Sequence, residues 1–590
     1  MLVDHLVLAG GGHTHALMLL RWAKNPHQRP KGLITLINRD STIIYSSMLP
    51  GVISGEYLLK EAQINLRKLA DMAEVSFVVA EINGVNPDER ILYLYKRPNI
   101  HFSRISFDIG AGTNIDKANH LVKGNEFAIP IKPFTKALEW IELQDSQSSV
   151  SNVKPFTVIG AGFAGIETVF ALRKRWPNRK LNLQVTSSKP IKSLKKSLLS
   201  ANVKLINRDV LITGPALICT GSQGPKFLAK SGLSVDNSGR ILTLPTYQVK
   251  GYSYIFAVGD CGVIEKFPRP PAGVWAVRAA KPLSKNIERQ SLGLNLLSSR
   301  PQREALQLIG GPFGSGGDFA WGFWGNLVLG PNTLLWKLKK LIDRRFMGMF
   351  RENSSMFNES NSMHLCRGCA AKVSAYTLRK GLKGSGLCQI DNMPEDATFI
   401  SDMSIENNLI QSVDGFPALI SDPWLNARLT TLHACSDIWA TGASVISAQP
   451  IITLPAVAES LQGELLIQIL DGIKSVLDSQ DAQIIGGHTL ESRNIYSHNI
   501  SMGIQIALSV NGLVPHKQKI WKKNGLQPKD VLLINRPLGS GVLFAASMKS
   551  IVDPANLDFV IDQLNTSQQS FVETLLTKQE ERLGLSPMIH

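Results

Sequence analysis

Three glycines in Val158–Glu167, VIGAGFAGIE, stand at the spacing that lets backbone N–H groups close on a pyrophosphate. Gly160 permits the tight turn, Gly162 the approach of a phosphate, and Gly165 close packing of the following helix on the preceding strand. A helix N-terminus at that point favours negative charge. A looser copy lies near the start of the chain, where Gly10 and Gly12 hold the first two positions and His15 the third. An imidazole there is expected to hold the helix further from its strand. Asn38 ends the next strand, where an acidic residue usually accepts ribose hydroxyls and an amide does so more weakly. Asp260, in the run YIFAVGDC, is placed to hold a cofactor hydroxyl, with a helix N-cap as its structural alternative. His13 and His15, on a glycine turn without nearby carboxylates, read as structural rather than as a metal pair.

The second half carries different chemistry. Cys369 precedes Lys372 by three positions, so the cation can lower the thiol pKa and bind a phosphate. Cys366 and Cys369 lack the second pair that a zinc site needs. Asp396, Asp414 and Asp437 lie near strand and helix ends and suit Mg²⁺ shared with nucleotide phosphates. Gly486, Gly487 and His488 follow an apolar strand-like run and fit a phosphate-cradling turn.

These residues need an α/β frame. Leu6–Ala9, Leu33–Ile37, Phe156–Ile159 and Leu181–Val185 read as buried strands, and Ala16–Trp22 and Glu167–Arg175 as helices. Residues 332–351 form a basic helix with Leu334, Leu338, Leu341 and Ile342 on one face. It reads either as a packed connector with a solvated basic face or as a contact to an anionic membrane. The polar run at 352–363 reads as a linker. A length of 590 residues suits about three or four domains. The net charge of +16 favours acidic partners, but its even spread along the chain argues against nucleic acid. Six scattered cysteines without a disulfide pattern point to a reducing cytoplasm. No apolar run approaches the ~18 residues of a membrane span, and the N-terminus reads as strand and turn rather than signal peptide.

The order of motifs over about 1–350 resembles the two-dinucleotide-binding flavoproteins, close to type II NADH dehydrogenases: the Gly10 turn, YSSMLPG at 45–51, GAGT, KPF at 132–134, GAGFAGIE and AVGD. The resemblance implies FAD in the first fold, NAD(P)H in the inserted one, and Asp260 against the ribityl chain. It also implies a quinone acceptor and peripheral membrane contact through 332–351. About 364–545 resembles selenide, water dikinase, of the aminoimidazole-ribotide-synthetase-like superfamily, through Cys369–Lys372, PEDA, SVDGFP, SDIWATGA, GGHT and RPLGSGVL. That resemblance implies Cys369 and Lys372 as the catalytic pair and Asp396 and Asp437 as Mg²⁺ ligands. Asp414, Gly486, Gly487 and His488 would then lie at ATP.

The expected fold is two Rossmann-like dinucleotide-binding domains followed by an α+β ATP-binding domain. The expected boundaries are 1–150 with 251–330 for FAD, and 151–250 for an abbreviated NAD(P) domain. A helix and linker at 331–363 and the ATP domain at 364–545 follow, with a helical tail at 546–590. The tail stands where the resembled dikinases carry a second domain with a DVTGFG-like acid, so weakened dikinase activity and a covering tail or homodimer are expected. The implied function is an FAD-dependent pyridine-nucleotide oxidoreductase fused to a dikinase acting on selenide and ATP. The alternative is a nucleotide-binding regulatory protein.

Overall fold

The computed structural model describes residues 5–122, 127–146, 154–186, 192–313, 317–351, 375–385, 397–402, 407–492, 503–516, 518, 520–522 and 527–580. Apolar runs bounded by turn residues form β1 (His5–Ala9), β2 (Leu33–Asn38), β3 (Ser76–Val79) and β4 (Arg104–Phe107), and α1 (His13–Lys24) crosses from β1 to β2. β1 pairs in parallel with both β2 and β4. Every residue of β1 is buried, as a strand covered on both faces requires. Leu6 and Leu8 join the core under α1, and Val7 and Ala9 join a second core with Val85 and Leu92.

The chain then builds a second, wholly parallel sheet from β5 (Ala128–Pro130), β6 (Phe156–Ile159), β7 (Leu181–Gln184), β8 (Val203–Ile206) and β9 (Ala216–Ile218), in the order β5-β9-β6-β7-β8. α2 (Phe163–Arg175) follows β6. The first sheet is completed by β10 (Ile241–Thr243), β11 (Gln248–Val249), β12 (Tyr252–Ala257) and β13 (Gly262–Ile264), giving β13-β10-β11-β12-β4-β1-β2-β3. Sheet membership therefore moves β5 into the second unit from before residue 151, and β10 and β11 into the first from before residue 251. α3 (Gly273–Ser291) lies along α1: Thr14 Oγ1 donates to Ala276 O at 2.9 Å and Trp22 Nε1 to Ser284 Oγ at 3.1 Å.

An antiparallel layer of β14 (Gln307–Phe313), β15 (Gly317–Trp324) and β16 (Leu327–Asn332) leads into α4 (Thr333–Arg351). α4 is turned against its apolar stripe. Its buried face holds Lys339, Asp343, Phe346 and Met347, while Leu334 and Leu341 are 67% and 63% exposed. Ionic partners explain the orientation. Lys339 Nζ donates to Ser47 O at 3.2 Å, Ser47 Oγ donates to Asp343 at 2.7 Å, and Phe346 stacks on Tyr45.

Past a short helix at Ala375–Gly384, the second half holds β17 (Thr398–Asp402), β18 (Asn407–Pro417), α5 (Pro423–Ala440), β19 (Ser444–Pro455) and α6 (Glu459–Leu477). β20 (Gln483–Ile484), β21 (His488–Ser492) and β22 (Gln505–Pro515) complete a sheet ordered β17-β18-β22-β19-β20, with β21 also on β19. Alternate residues of β22 from Ile506 to Val514 are buried, so one sheet face packs and the other is open. α7 (Ser540–Met548), α8 (Pro554–Leu564) and α9 (Gln569–Glu580) follow, and Phe544, Leu557, Val560 and Ile561 close over Leu429 of α5.

The segment that starts α5 docks on the first half. Ser76 Oγ donates to Ser421 O at 2.6 Å, and Phe77 N donates to Ser421 Oγ at 3.1 Å. Arg97 pairs with Asp422 at 2.6 Å, with side chains only 8% and 2% exposed. Asp422 also caps α5 by accepting from Leu425 N at 3.1 Å. Removing one member of a buried pair leaves a charge unsolvated. Arg97→Met is therefore expected to destabilise the protein by about 3–5 kcal/mol in urea denaturation. Adding Asp422→Asn should recover part of that loss, because the amide still caps α5 without a buried charge. Additive losses would contradict the pairing.

Candidate functional site

β1 runs into Gly10, whose φ is +92° and whose added Cβ would lie 2.5 Å from Asp108 O. Only glycine tolerates both the backbone angle and that approach. Gly12 N donates to Asp108 O at 3.0 Å, and a Cβ on Gly12 would stand 2.3 Å from the Asp108 carboxyl carbon. Asp108 follows β4, is 3% exposed, and accepts from His15 N at 3.0 Å. It thus sits at the N-terminus of α1, where free N–H groups and the helix dipole favour a carboxylate. Burial still raises its pKa to about 6, against the lowering effect of that hydrogen bond.

His15 is drawn into the turn rather than propping the helix away. Its Nδ1 lies 2.6 Å from Gly10 O and its Nε2 lies 2.8 Å from Ser106 Oγ. A carbonyl only accepts, so Nδ1 carries the proton and Ser106 donates to Nε2. Burial pushes the pKa down to about 4, so the ring is neutral. Asn38 braces the same turn from β2, accepting from Gly11 N at 2.9 Å and donating to Asp40 O at 2.7 Å.

Asp260 follows β12 and pairs with Lys132 Nζ at 3.2 Å instead of capping a helix. Lys132 follows β5, so this ion pair bridges the C-terminal edges of the two sheets. His13 meets Tyr45 edge-on at 5.5 Å and Phe346 at 6.1 Å. Burial lowers its pKa, Asp108 and Asp260 pull it back up, and Lys132 adds to the lowering. His13 Nε2 is a buried polar atom with no hydrogen-bond partner among the described residues, and Asn114 Oδ1 is another.

The second glycine turn is closed on one side and open on the other. A Cβ on Gly165 would fall 1.9 Å from Gly160 O, so α2 packs on β6 at a distance only glycine allows. A Cβ on Gly162 would meet nothing within 4 Å. In α2, Glu167 accepts from Gly310 N at 2.9 Å and lies 3.7 Å from Lys339 Nζ, while burial raises its pKa. One buried network therefore joins the fingerprint helix, α4 and the turn at Ser47.

In the second half, Cys369, Lys372 and Asp396 lie outside the described residues. Asp414 and Asp437 come together where β18 faces α5. Ser412 Oγ donates to Asp437 Oδ2 at 2.7 Å, and His433 Nε2 lies 3.0 Å from Asp414 Oδ2. Gly486, Gly487 and His488 do not join them. His488 registers with Ile451 on the open face, whereas Asp414 registers with Leu508 and, through it, with buried Pro450. His488 and Asp414 are thus on opposite faces, three strands apart, or about 14 Å. Among the described residues no group of three or more His, Cys, Asp or Glu could hold a metal ion. Asp108 and His433 are candidate site residues that local patterns did not single out, and Lys132 was read only as part of the KPF motif. An acid directly after an apolar strand, in FDIGAGT, was the available signal for Asp108.

A family model for the AIR synthase related protein, N-terminal domain, matches residues 394–514. The selenide, water dikinase of Bdellovibrio bacteriovorus is 27% identical over 205 residues, covering 34% of this chain and 55% of its own. That of Myxococcus xanthus is 29% identical over 191 residues, covering 32% and 51%. The chain spans about half the length of the curated relatives it matches. Among solved structures, the sulfide:quinone oxidoreductase of Aquifex aeolicus aligns with a TM-score of 0.47 and 16% identity over 59% of this chain and 92% of its own. NDH2 from Plasmodium falciparum in complex with NADH gives 0.47 and 12% over 60% and 98%. The strand orders and two glycine turns themselves define the first part as a pair of Rossmann-like units, joined to a domain related to that of selenide, water dikinases.

The His15–Asp108 junction predicts a distinctive pH response. His15 titrates near 4 in the fold and near 6.5 when free, so its stabilisation is present above pH 6.5 and lost as pH falls toward 4. Asp108 titrates near 6 in the fold and 3.8 when free, so its contribution is present below 3.8 and lost as pH rises through 6. The two offset each other between about pH 4 and 6. Asp108→Asn should unmask the histidine, and stability measured by urea denaturation should then fall by about 3 kcal/mol more than in wild type between pH 6.5 and 4. Parallel wild-type and variant profiles would contradict this.

Proposed function

We propose that the chain is bifunctional, with an FAD-dependent pyridine-nucleotide oxidoreductase followed by a selenide, water dikinase-type ATP domain. The Lys132–Asp260 ion pair carries the first reading, because it brings the ends of two nucleotide-type sheets to one cleft beside the Gly10–Gly12 turn. Unpartnered buried atoms on His13 and Asn114 fit a cofactor rich in polar atoms. FAD, when bound, would pass electrons from NAD(P)H to an acceptor such as a quinone. The chain supplies the positioning. The turn at Gly10 and Gly12 and the start of α1 hold the FAD pyrophosphate, Asn38 lies toward its ribose, and Asp260 takes a ribityl hydroxyl. Asp108 accepts from His15 N at the same helix end, so the pyrophosphate would have to draw on the remaining N–H groups of the turn. The open turn at Gly160, Gly162 and Gly165 receives the NAD(P)H pyrophosphate.

In the second part, Asp437 and Asp396 hold Mg²⁺, Asp414 serves ATP, and Cys369 with Lys372 forms the catalytic pair. Selenide, ATP and water would give selenophosphate, AMP and phosphate. A homodimer is read on the open sheet face, where Val413 is 67% exposed and Ile451 47%.

No helix of the described residues is long and apolar enough to cross a membrane. A peripheral contact is read on β16 and α4 instead. Leu327, Leu334 and Leu341 are exposed there, beside exposed Lys337, Arg344 and Arg345.

The first reading predicts that NADH or NADPH bleaches the protein's visible flavin absorbance under anaerobic conditions, and that Gly162→Val slows bleaching without releasing flavin. A flavin that neither nucleotide reduces would refute it. For the second part, selenide-dependent AMP release should fall far more in Cys369→Ser than in Cys366→Ser. Equal losses would contradict the assigned pair. Leu334→Glu with Leu341→Glu should abolish sedimentation with anionic phosphatidylglycerol vesicles. Unchanged sedimentation would remove the membrane reading.

A further inference from the structure

We infer that a cavity on the far side of α3 binds a compact aromatic anion. The cavity has a volume of about 430 Å³, within the size range of small-molecule sites. It lies between α3, which contributes Trp275 and Arg278, and the extension of the first sheet, which contributes Tyr247 and Val263. It adjoins the site described above through Gly259, which lines it and precedes Asp260. None of Gly10, His13, Asn38, Asp108, Lys132 or Asp260 lines it. Ala276, on another side of α3, is turned toward α1 through its bond from Thr14.

The chemistry of the lining is one-sided. Arg240, Arg269, Arg278 and Arg300 all line the cavity, and no carboxylate does. Among the described residues none of the four forms an ion pair. Arg240 is 8% exposed, and it is fixed by donating to Arg269 O at 2.8 Å and Gly262 O at 2.9 Å. Its Nε remains a buried donor without an acceptor, and so does Trp275 Nε1. Arg269 is spent on the carbonyls of Gln302, Pro268 and Pro301, and Asp236 and Asp260 act on Arg240 from beyond ion-pair distance. Two buried donors without acceptors, in a lining that holds guanidinium groups and no carboxylate, favour a charged acceptor. The remaining wall is apolar or aromatic. Arg300 stands 5.9 Å over Phe267, and Arg269 and Arg278 stand 5.7 and 5.5 Å over Trp275. Cations held against rings leave ring edges and aliphatic walls for the body of the ligand. A carboxylate on an aromatic body meets both demands, whereas a bare inorganic anion would leave the apolar wall wet.

The test is isothermal titration of the full-length purified protein with 2-naphthoate and with its neutral isostere 2-naphthamide. Binding of the carboxylate at least about tenfold tighter than the amide is expected, the scale of a charge-assisted contact. Arg240→Met should remove most carboxylate binding, but Arg240 is buried and its loss could unfold the sheet edge. The double variant Arg278→Gln and Arg300→Gln changes two exposed side chains and decides the matter independently. It should weaken 2-naphthoate by about tenfold, leave 2-naphthamide unchanged, and leave the thermal midpoint and flavin content at wild-type values. Equal affinity for the two probes, no heat from either at millimolar concentration, or unchanged 2-naphthoate affinity in the double variant would overturn the proposal.

Discussion

One buried carboxylate sets the geometry of the first half. Asp108 touches the Gly10–Gly12 turn, receives the N–H of His15 at the start of α1, and lies against the loop that carries Asp260. A Cβ on Gly259 would stand 2.3 Å from Asp108 Oδ1. Two pieces of chain distant in sequence, 10–15 and the loop at Gly259, are therefore fixed by contacts with one side chain. His15 completes the junction by tying Gly10 O to Ser106 on β4. Enlarging any of these glycines would collide with backbone or with the carboxylate, so the crowding leaves the elements little freedom to separate. The grouping of His13, Lys132 and Asp260 beside the Gly10 turn depends on that crowding.

A second constraint links the parts of the chain. α4 presents ions, rather than leucines, to the body of the protein. Lys339 and Asp343 meet Glu167 of the fingerprint helix and Ser47, so the helix of the second glycine turn and the turn beside the first are held by one network. The second half is fixed at Ser421 and Asp422, immediately before the helix that carries His433 and Asp437. The N-cap that starts this helix is therefore also its contact with Arg97. The position of one candidate acid thus depends on a residue in the other half.

The glycine turns were legible because their signal is local: strand, three spaced glycines and helix lie within about twenty residues. The buried strands beside those turns were legible from the same periodicity, whereas the antiparallel pairing of β10, β11 and β12 in the first sheet was not. What escaped was non-local. His15 and Asp108 are 93 residues apart, and Arg97 and Asp422 are 325 apart, so no window of sequence shows either pair. α4 misled for a physical reason. Its leucine stripe has the period of a core face, yet a buried ionic network outweighs it and turns the stripe outward. GGHT and Asp414 were read together because their types suit one nucleotide, whereas strand register puts His488 and Asp414 on opposite faces. Pairing across a sheet is decided by register, which motif spacing does not encode.

The central claim is that the cleft between the Gly10 turn and the Lys132–Asp260 pair is built for one flavin. Equilibrium titration of FAD into the flavin-stripped protein, followed by quenching of flavin fluorescence, tests it most directly. The account predicts saturation at one FAD per chain in the wild type. Asp260→Ala should weaken binding by about 1.5–3 kcal/mol. Absence of saturable binding in a folded wild-type protein, or an Asp260→Ala variant that binds as tightly as wild type, would contradict it.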